Sequence, residues 1–130
     1  MEILLKTHKH YGSLLIALVL SVILLALIKG PKPVYQRIVA VLVDVNLVIG
    51  LFALYFSHKS ISALHLIFAL GAVGLLHAGA KSDQKAKVVR CFSIALGFLI
   101  LAWATNASWG PSVLKGVWMF SLNAPVPAAG

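Results

Sequence analysis

Apolar residues along this chain gather into four blocks, Tyr11 to Ile28, Ile38 to Phe56, Ile61 to Ala80 and Phe92 to about Trp109. Most charged and turn-forming residues lie at the edges of the blocks. Each block is close to the roughly 20 residues that an α-helix needs to cross about 30 Å of hydrocarbon. No period-2 alternation of a half-buried strand runs through them, so the pattern predicts an all-α integral membrane protein. Lys29-Gly30-Pro31-Lys32-Pro33 reads as a turn between the first two blocks, and no small-residue cleavage site follows the first block, which is therefore kept as a helix rather than a signal peptide. Short connections make consecutive helices antiparallel neighbours, giving an up-down-up-down four-helix bundle as a single transmembrane domain over residues 1–130. The segment 110–130 is too short and too rich in Ala and Pro to span, and is expected to form an interfacial C-terminal tail.

Composition agrees with the pattern: 61% of the 130 residues are hydrophobic and 11% are charged, against about 45–50% and 25% in a soluble domain. The formal net charge of +8 would suggest nucleic acid in a soluble protein. Here the basic residues flank the spans, where they snorkel to headgroups and set topology, so no nucleic-acid partner is expected. Lys29, Lys32, Arg37, Lys81, Lys85, Lys87 and Arg90 flank one set of span ends, and Lys6, Lys9, Lys59 and Lys115 the other. The positive-inside bias thus places both termini outside. Cys91 is the single cysteine, which leaves neither an internal disulfide nor a thiolate metal site.

Ionisable groups at membrane depth are costly, and each needs a reason to be there. His10 opens the first span and His65 lies about one turn into the third; parallel helices bring the two to matching depth near one membrane face. Matched depth is what two axial ligands of one haem iron require. It equally suits interfacial histidines hydrogen-bonded to headgroups or water. Small residues on their faces, Ala17 and Ser21 with His10 and Ala69 and Ala72 with His65, leave room for a porphyrin or for close helix contact. His77 follows His65 by about 18 Å along the helix and cannot share that haem, but could contact a quinone or a second cofactor at the inner edge. Asp44, with Arg37, Lys87 and Arg90 as expected partners, and Asn46, on a small polar strip with Gly50 and Ala53, complete a secondary polar site with His77. His8 should point opposite His10 and be solvated. No Ser/His/Asp arrangement, phosphate-cradling glycine loop or zinc-type spacing is visible, which argues against a hydrolase.

The segments His10-Tyr11-Gly12 at the start of the first span, Asp44-Val45-Asn46 with Gly50 and Tyr55 in the second, and His65 with His77-Ala78-Gly79 in the third together resemble the small bacterial four-helix membrane proteins described as cytochrome b-like. The resemblance covers roughly the first three helices. It implies a haem b cofactor with His10 and His65 as ligands, in a bacterial inner membrane. Leu64 and Leu14 depart from the pattern, standing where the family often has an acidic and a basic residue; loss of such neighbours fits either a shifted haem potential or a lineage that kept the bundle and lost the cofactor.

The function expected is that of an electron-transfer subunit rather than a complete enzyme: a haem b protein moving single electrons within a larger membrane complex, exchanging them with a quinone, a cytochrome or a neighbouring subunit. The rival expectation is a cofactor-free or pigment-contacting accessory subunit that stabilises a respiratory or photosynthetic complex.

Overall fold

A computed structural model of the chain describes residues 2–57 and 61–105 and the backbone of 119–120. Four helices carry the fold: α1 (Glu2–Lys29), α2 (Pro33–Ser57), α3 (Ala63–Ala80) and α4 (Lys85–Ala104). All four are long and apolar enough to cross a membrane. The helices are offset from the apolar blocks in an instructive way. α1 begins at Glu2, nine positions before Tyr11, because Glu2 and Lys6 form an i,i+4 ion pair of 3.0 Å and nothing in Glu2–His10 breaks a helix. α4 likewise starts at Lys85 rather than Phe92, since the long stems of Lys85, Lys87 and Arg90 let a first turn be helical while the charges stay outside hydrocarbon. Apolarity marks the immersed part of a helix, and backbone chemistry marks its ends.

Those ends have identifiable causes. Gly30 takes φ +88°, a left-handed conformation open to glycine, and its N–H donates to the Ala26 carbonyl at 3.1 Å, closing α1. Pro33 then supplies the first residue of α2, where its missing N–H costs nothing. Gln84 caps α4 with its backbone carbonyl, which accepts the Val88 N–H at 3.0 Å. Ile61–Ser62 and Met119–Phe120 form a short antiparallel pair, Ile61 opposite Phe120 and Ser62 opposite Met119. The rest of the expected interfacial tail, with Trp109, and the loop residues His58 and Lys59 lie outside the described residues.

The helices close into a ring in which α1 packs on α2, α2 on α3, α3 on α4 and α4 back on α1, the up-down-up-down bundle expected from the short connections. Its interior is a stripe from each helix: Leu15, Val19, Val22 and Ala26 of α1 meet Val39 and Val43 of α2, Ala72 and Leu76 of α3, and Val88 and Phe92 of α4. Large apolar side chains also cover the outside, among them Leu24, Val41, Val45, Val48, Ile67, Leu70 and Ile94. A bundle apolar inside and out has hydrocarbon as its solvent. Gly79 lets α3 and α4 approach closely, since a Cβ there would come within 2.8 Å of the Cys91 Cβ.

At the cation-bearing end the two helical hairpins are tied by one side chain. Gln36 is 1% exposed. Its Nε2 donates to the carbonyls of Ser82 at 3.0 Å, Ala80 at 3.3 Å and Gly79 at 3.4 Å, and its Oε1 accepts the Lys32 N–H at 2.8 Å. The Ala80 carbonyl at the C-terminus of α3 is thereby met from α2, together with that of Gly79, which also accepts the Ser82 N–H at 3.1 Å, and that of Ser82 just beyond the helix. Deeper in, Tyr35 donates to Ser21 Oγ at 2.6 Å, and Ser21 in turn donates to the Leu18 carbonyl at 2.6 Å, joining α1 to α2.

Gln36→Leu preserves volume but strands those carbonyls, and should lower stability by about 1–3 kcal/mol. Gly79→Ala should cost a similar amount, about 1–3 kcal/mol, by overpacking the α3–α4 seam. Thermal unfolding in detergent measures both, with the exposed Val34→Ala as the control that leaves the midpoint in place.

Candidate functional site

The opposite end of the bundle gathers the start of α1, the last turns of α2, the start of α3 and the end of α4. Two imidazoles meet there across the ring: His8 of α1 and His65 of α3, with ring centroids 6.0 Å apart and planes at 72°. His8 faces inward because it continues the buried stripe of α1, standing in line with Gly12, Leu15, Val19, Val22 and Ala26 at alternating steps of four and three. Its ring lies against Gly50 of α2 so closely that a Cβ on residue 50 would fall 2.6 Å from His8 Cε1. Gly50 is thus glycine for the sake of the imidazole.

Each ring is oriented by a main-chain carbonyl. His8 Nδ1 lies 3.1 Å from the Asn46 carbonyl and His65 Nδ1 2.7 Å from the Ala102 carbonyl. A carbonyl only accepts, so in both rings the proton sits on Nδ1 and, in the neutral imidazole, Nε2 carries the lone pair. His65 also does structural work: Ala102 is in the last turn of α4, whose carbonyls lack helical partners. Thr105 shares that role, donating its hydroxyl to the Ala102 carbonyl at 2.6 Å while its Oγ1 lies 3.3 Å from His65 Nδ1. Beside His8, the buried Oδ1 of Asn46 has no hydrogen-bond partner among the described residues, and the Asn46 amide packs on Gly12, whose Cβ would lie 3.4 Å from Nδ2.

The expected partnership of His10 with His65 is not formed. His10 is exposed on the outer surface of α1, beside Lys6, Thr7 and Tyr11, and Leu14 on the same face is 53% exposed. His8, expected to be solvated, holds the interior position instead. Two residues turn a helix by about 200°, so only one of the pair can face inward. The signal was present in the sequence: the His8 stripe runs into large β-branched and leucine side chains, whereas the His10 stripe runs through Leu14, Ala17 and Ser21.

The secondary polar residues also regroup. His77 Nε2 lies 2.7 Å from Asp44 Oδ2, with side-chain exposures of 47% and 37%. Arg37, Lys87 and Arg90 do not pair with Asp44. Arg37 is about two turns along the same helix, and α4 stands diagonally across the ring from α2. The neighbour of α2 is α3, and it supplies His77. Asp44 Oδ1 is buried without a hydrogen-bond partner among the described residues. Asn46 belongs with His8 rather than with this pair.

Comparison with protein-family models, with curated proteins and with solved structures finds no match, so the site is read from its own geometry. Among the described residues no three His, Cys, Asp or Glu side chains converge as a metal-ligand group; the His8 and His65 pair offers two imidazoles. That donor set is the one a b-type haem iron takes from protein, its other four ligands being the macrocycle's own nitrogens. His8 and His65 therefore fit the group in donor chemistry, each offering one imidazole nitrogen.

Gly50→Ala should displace the His8 ring and break its hydrogen bond to the Asn46 carbonyl. In ¹⁵N-labelled protein the His8 imidazole signals should shift while those of His77 remain; unchanged His8 signals would show that the ring does not rest on Gly50.

Proposed function

We propose that the chain is a b-type haem protein of a bacterial inner membrane that carries single electrons as one subunit of a larger membrane complex, with His8 and His65 as the residues that would hold its iron. The observation that carries this reading is the meeting of two carbonyl-oriented imidazoles inside a bundle built to stand in hydrocarbon. When bound, the haem supplies a one-electron Fe(III)/Fe(II) couple.

The residues of the chain supply orientation and environment. The Asn46 and Ala102 carbonyls hold the Nδ1 protons, which fixes each ring's tautomer and directs Nε2 as the donor. An N–H held by a carbonyl also raises the basicity of the opposite nitrogen and favours the oxidised metal. Apolar surroundings act the other way, disfavouring the more charged state. Gly50 and Gly12 keep side chains off His8 and Asn46. His65 couples the site to the fold, because the same ring completes the end of α4.

Orientation follows from the same frame. Lys29, Lys32, Arg37, Lys81, Lys85, Lys87 and Arg90 lie at the end of the bundle away from His8 and His65, and the exposed aromatics Phe52, Tyr55, Phe56 and Trp103 flank the histidine end. With the cationic end cytoplasmic, both termini and the His8–His65 pair sit toward the outer face.

A reduced-minus-oxidised spectrum with a pyridine haemochrome assay tests the proposal on detergent-purified protein expressed with ample haem. Stoichiometric haem b is expected, lost in His8→Ala and in His65→Ala and retained in His10→Ala. A folded, colourless protein would overturn it and leave the cofactor-free accessory subunit as the reading. Loss in His10→Ala with retention in His8→Ala would return the ligand role to His10.

A further inference from the structure

The outer face of α2 and α3 carries a polar pair that joins the two helices and remains open to the outside. Asp44 and His77 form a 2.7 Å pair that stays well exposed on helices of membrane-span length. The two meet because Cα–Cβ bonds lean toward a helix's N-terminus: Asp44 leans toward the cationic end and His77 away from it, so the side chains converge from antiparallel helices. His77 is about 5 Å short of the end of α3. The pair therefore joins the last turns of α3 to the middle of α2, within the membrane-spanning length of both helices and facing the lipid. An ionisable pair facing hydrocarbon is costly, and the default expectation for it is function.

Its surroundings narrow what it could meet. Ile67 and Leu70 of α3 and Val41 and Val48 of α2 make the same face otherwise apolar. Polarity concentrated at one point suits a small head, whereas a docked helix would meet a strip. One turn before His77, the exposed Gly74 has nothing within 4 Å of where a Cβ would be, so the face is notched beside the imidazole. The chemistry of the pair is equally selective. With Nε2–H given to Asp44, neutral His77 keeps a lone pair on Nδ1 that accepts from a hydroxyl; as an imidazolium it gives Nδ1–H to a carbonyl. A neutral, membrane-soluble ring whose oxygens alternate between hydroxyl and carbonyl matches both forms of the imidazole. We infer that Asp44, His77 and the Gly74 notch form a lipid-accessible binding site for the head of a quinone or quinol.

The inference does not rest on haem: a colourless protein that binds the ring leaves it intact, and a haem protein that does not bind it leaves the haem reading intact. The test reconstitutes the full chain in lipid nanodiscs with an azido-benzoquinone carrying a short isoprenoid tail. Light attaches the probe, and mass spectrometry locates it. Labelling is expected on the peptides holding Asp44 and Gly74–His77, displaced by unlabelled quinone. Asp44→Asn and His77→Ala should each reduce it at least tenfold. Gly74→Leu, which fills the notch and touches neither hydrogen-bonding group, should reduce it as strongly with helical circular dichroism unchanged, while His10→Ala labels as the parent does. Labelling that is indifferent to all three substitutions, or that falls on another face, would overturn the site. Absent labelling together with efficient Gly74→Cys disulfide cross-linking between copies would overturn it in favour of an interface between two copies of the chain.

Discussion

In hydrocarbon no water is available to satisfy a polar group, and this constraint governs every polar side chain of the bundle. The main chain answers it by being helical almost wherever it is described. The exceptions are the places where helices end, and there single side chains take over. Gln36 meets the carbonyls ending α3, His65 and Thr105 meet a carbonyl ending α4, and Gly30 allows α1 to close on itself. The apolar stripes bring the helices together, but in lipid they do so without the strong drive that water provides. Small residues and hydrogen bonds therefore weigh more, which explains why a Cβ would fall 2.6 Å from the His8 ring at Gly50 and 2.8 Å from Cys91 at Gly79.

The histidine pair is a second answer to the same constraint. A buried imidazole brings one donor and one acceptor, and His8 and His65 each place the donor on a carbonyl of a different helix. Four helices converge on two rings: α1 and α3 contribute them, and α2 and α4 hold them. Such a frame fixes ring orientation with rigid elements rather than loops, the condition under which a donor set keeps its geometry.

The bundle was legible in the sequence because block length and block number depend only on gross apolarity. Helix ends were less so: Glu2–His10 and Lys85–Cys91 are polar enough to leave the immersed segment yet have every property a helix needs. The site was legible as a class of residue, histidines at one membrane level on α1 and α3, while the structure turns His8 rather than His10 toward His65. Depth alone cannot separate His8 from His10, since both lie near one membrane level; the rotation of the stripe through Leu15, Val19 and Val22 does. The partner of Asp44 was hidden for a different reason. Charge suggested Arg37, Lys87 and Arg90, but which helix stands beside α2 is a property of the closed ring, and residues adjacent in that ring are far apart in the chain.

Gln36 has a consequence for how the bundle is assembled. A helical hairpin of α1 and α2 can cross the membrane with its backbone satisfied, yet it carries a buried amide whose three carbonyl acceptors all belong to the second hairpin. Until α3 and α4 arrive, that amide lacks those acceptors and is left to headgroups and water, so the first hairpin is stable as an inserted segment and incomplete as a folded one. Insertion and folding are thereby separated in time, and one glutamine registers the second hairpin against the first when they dock.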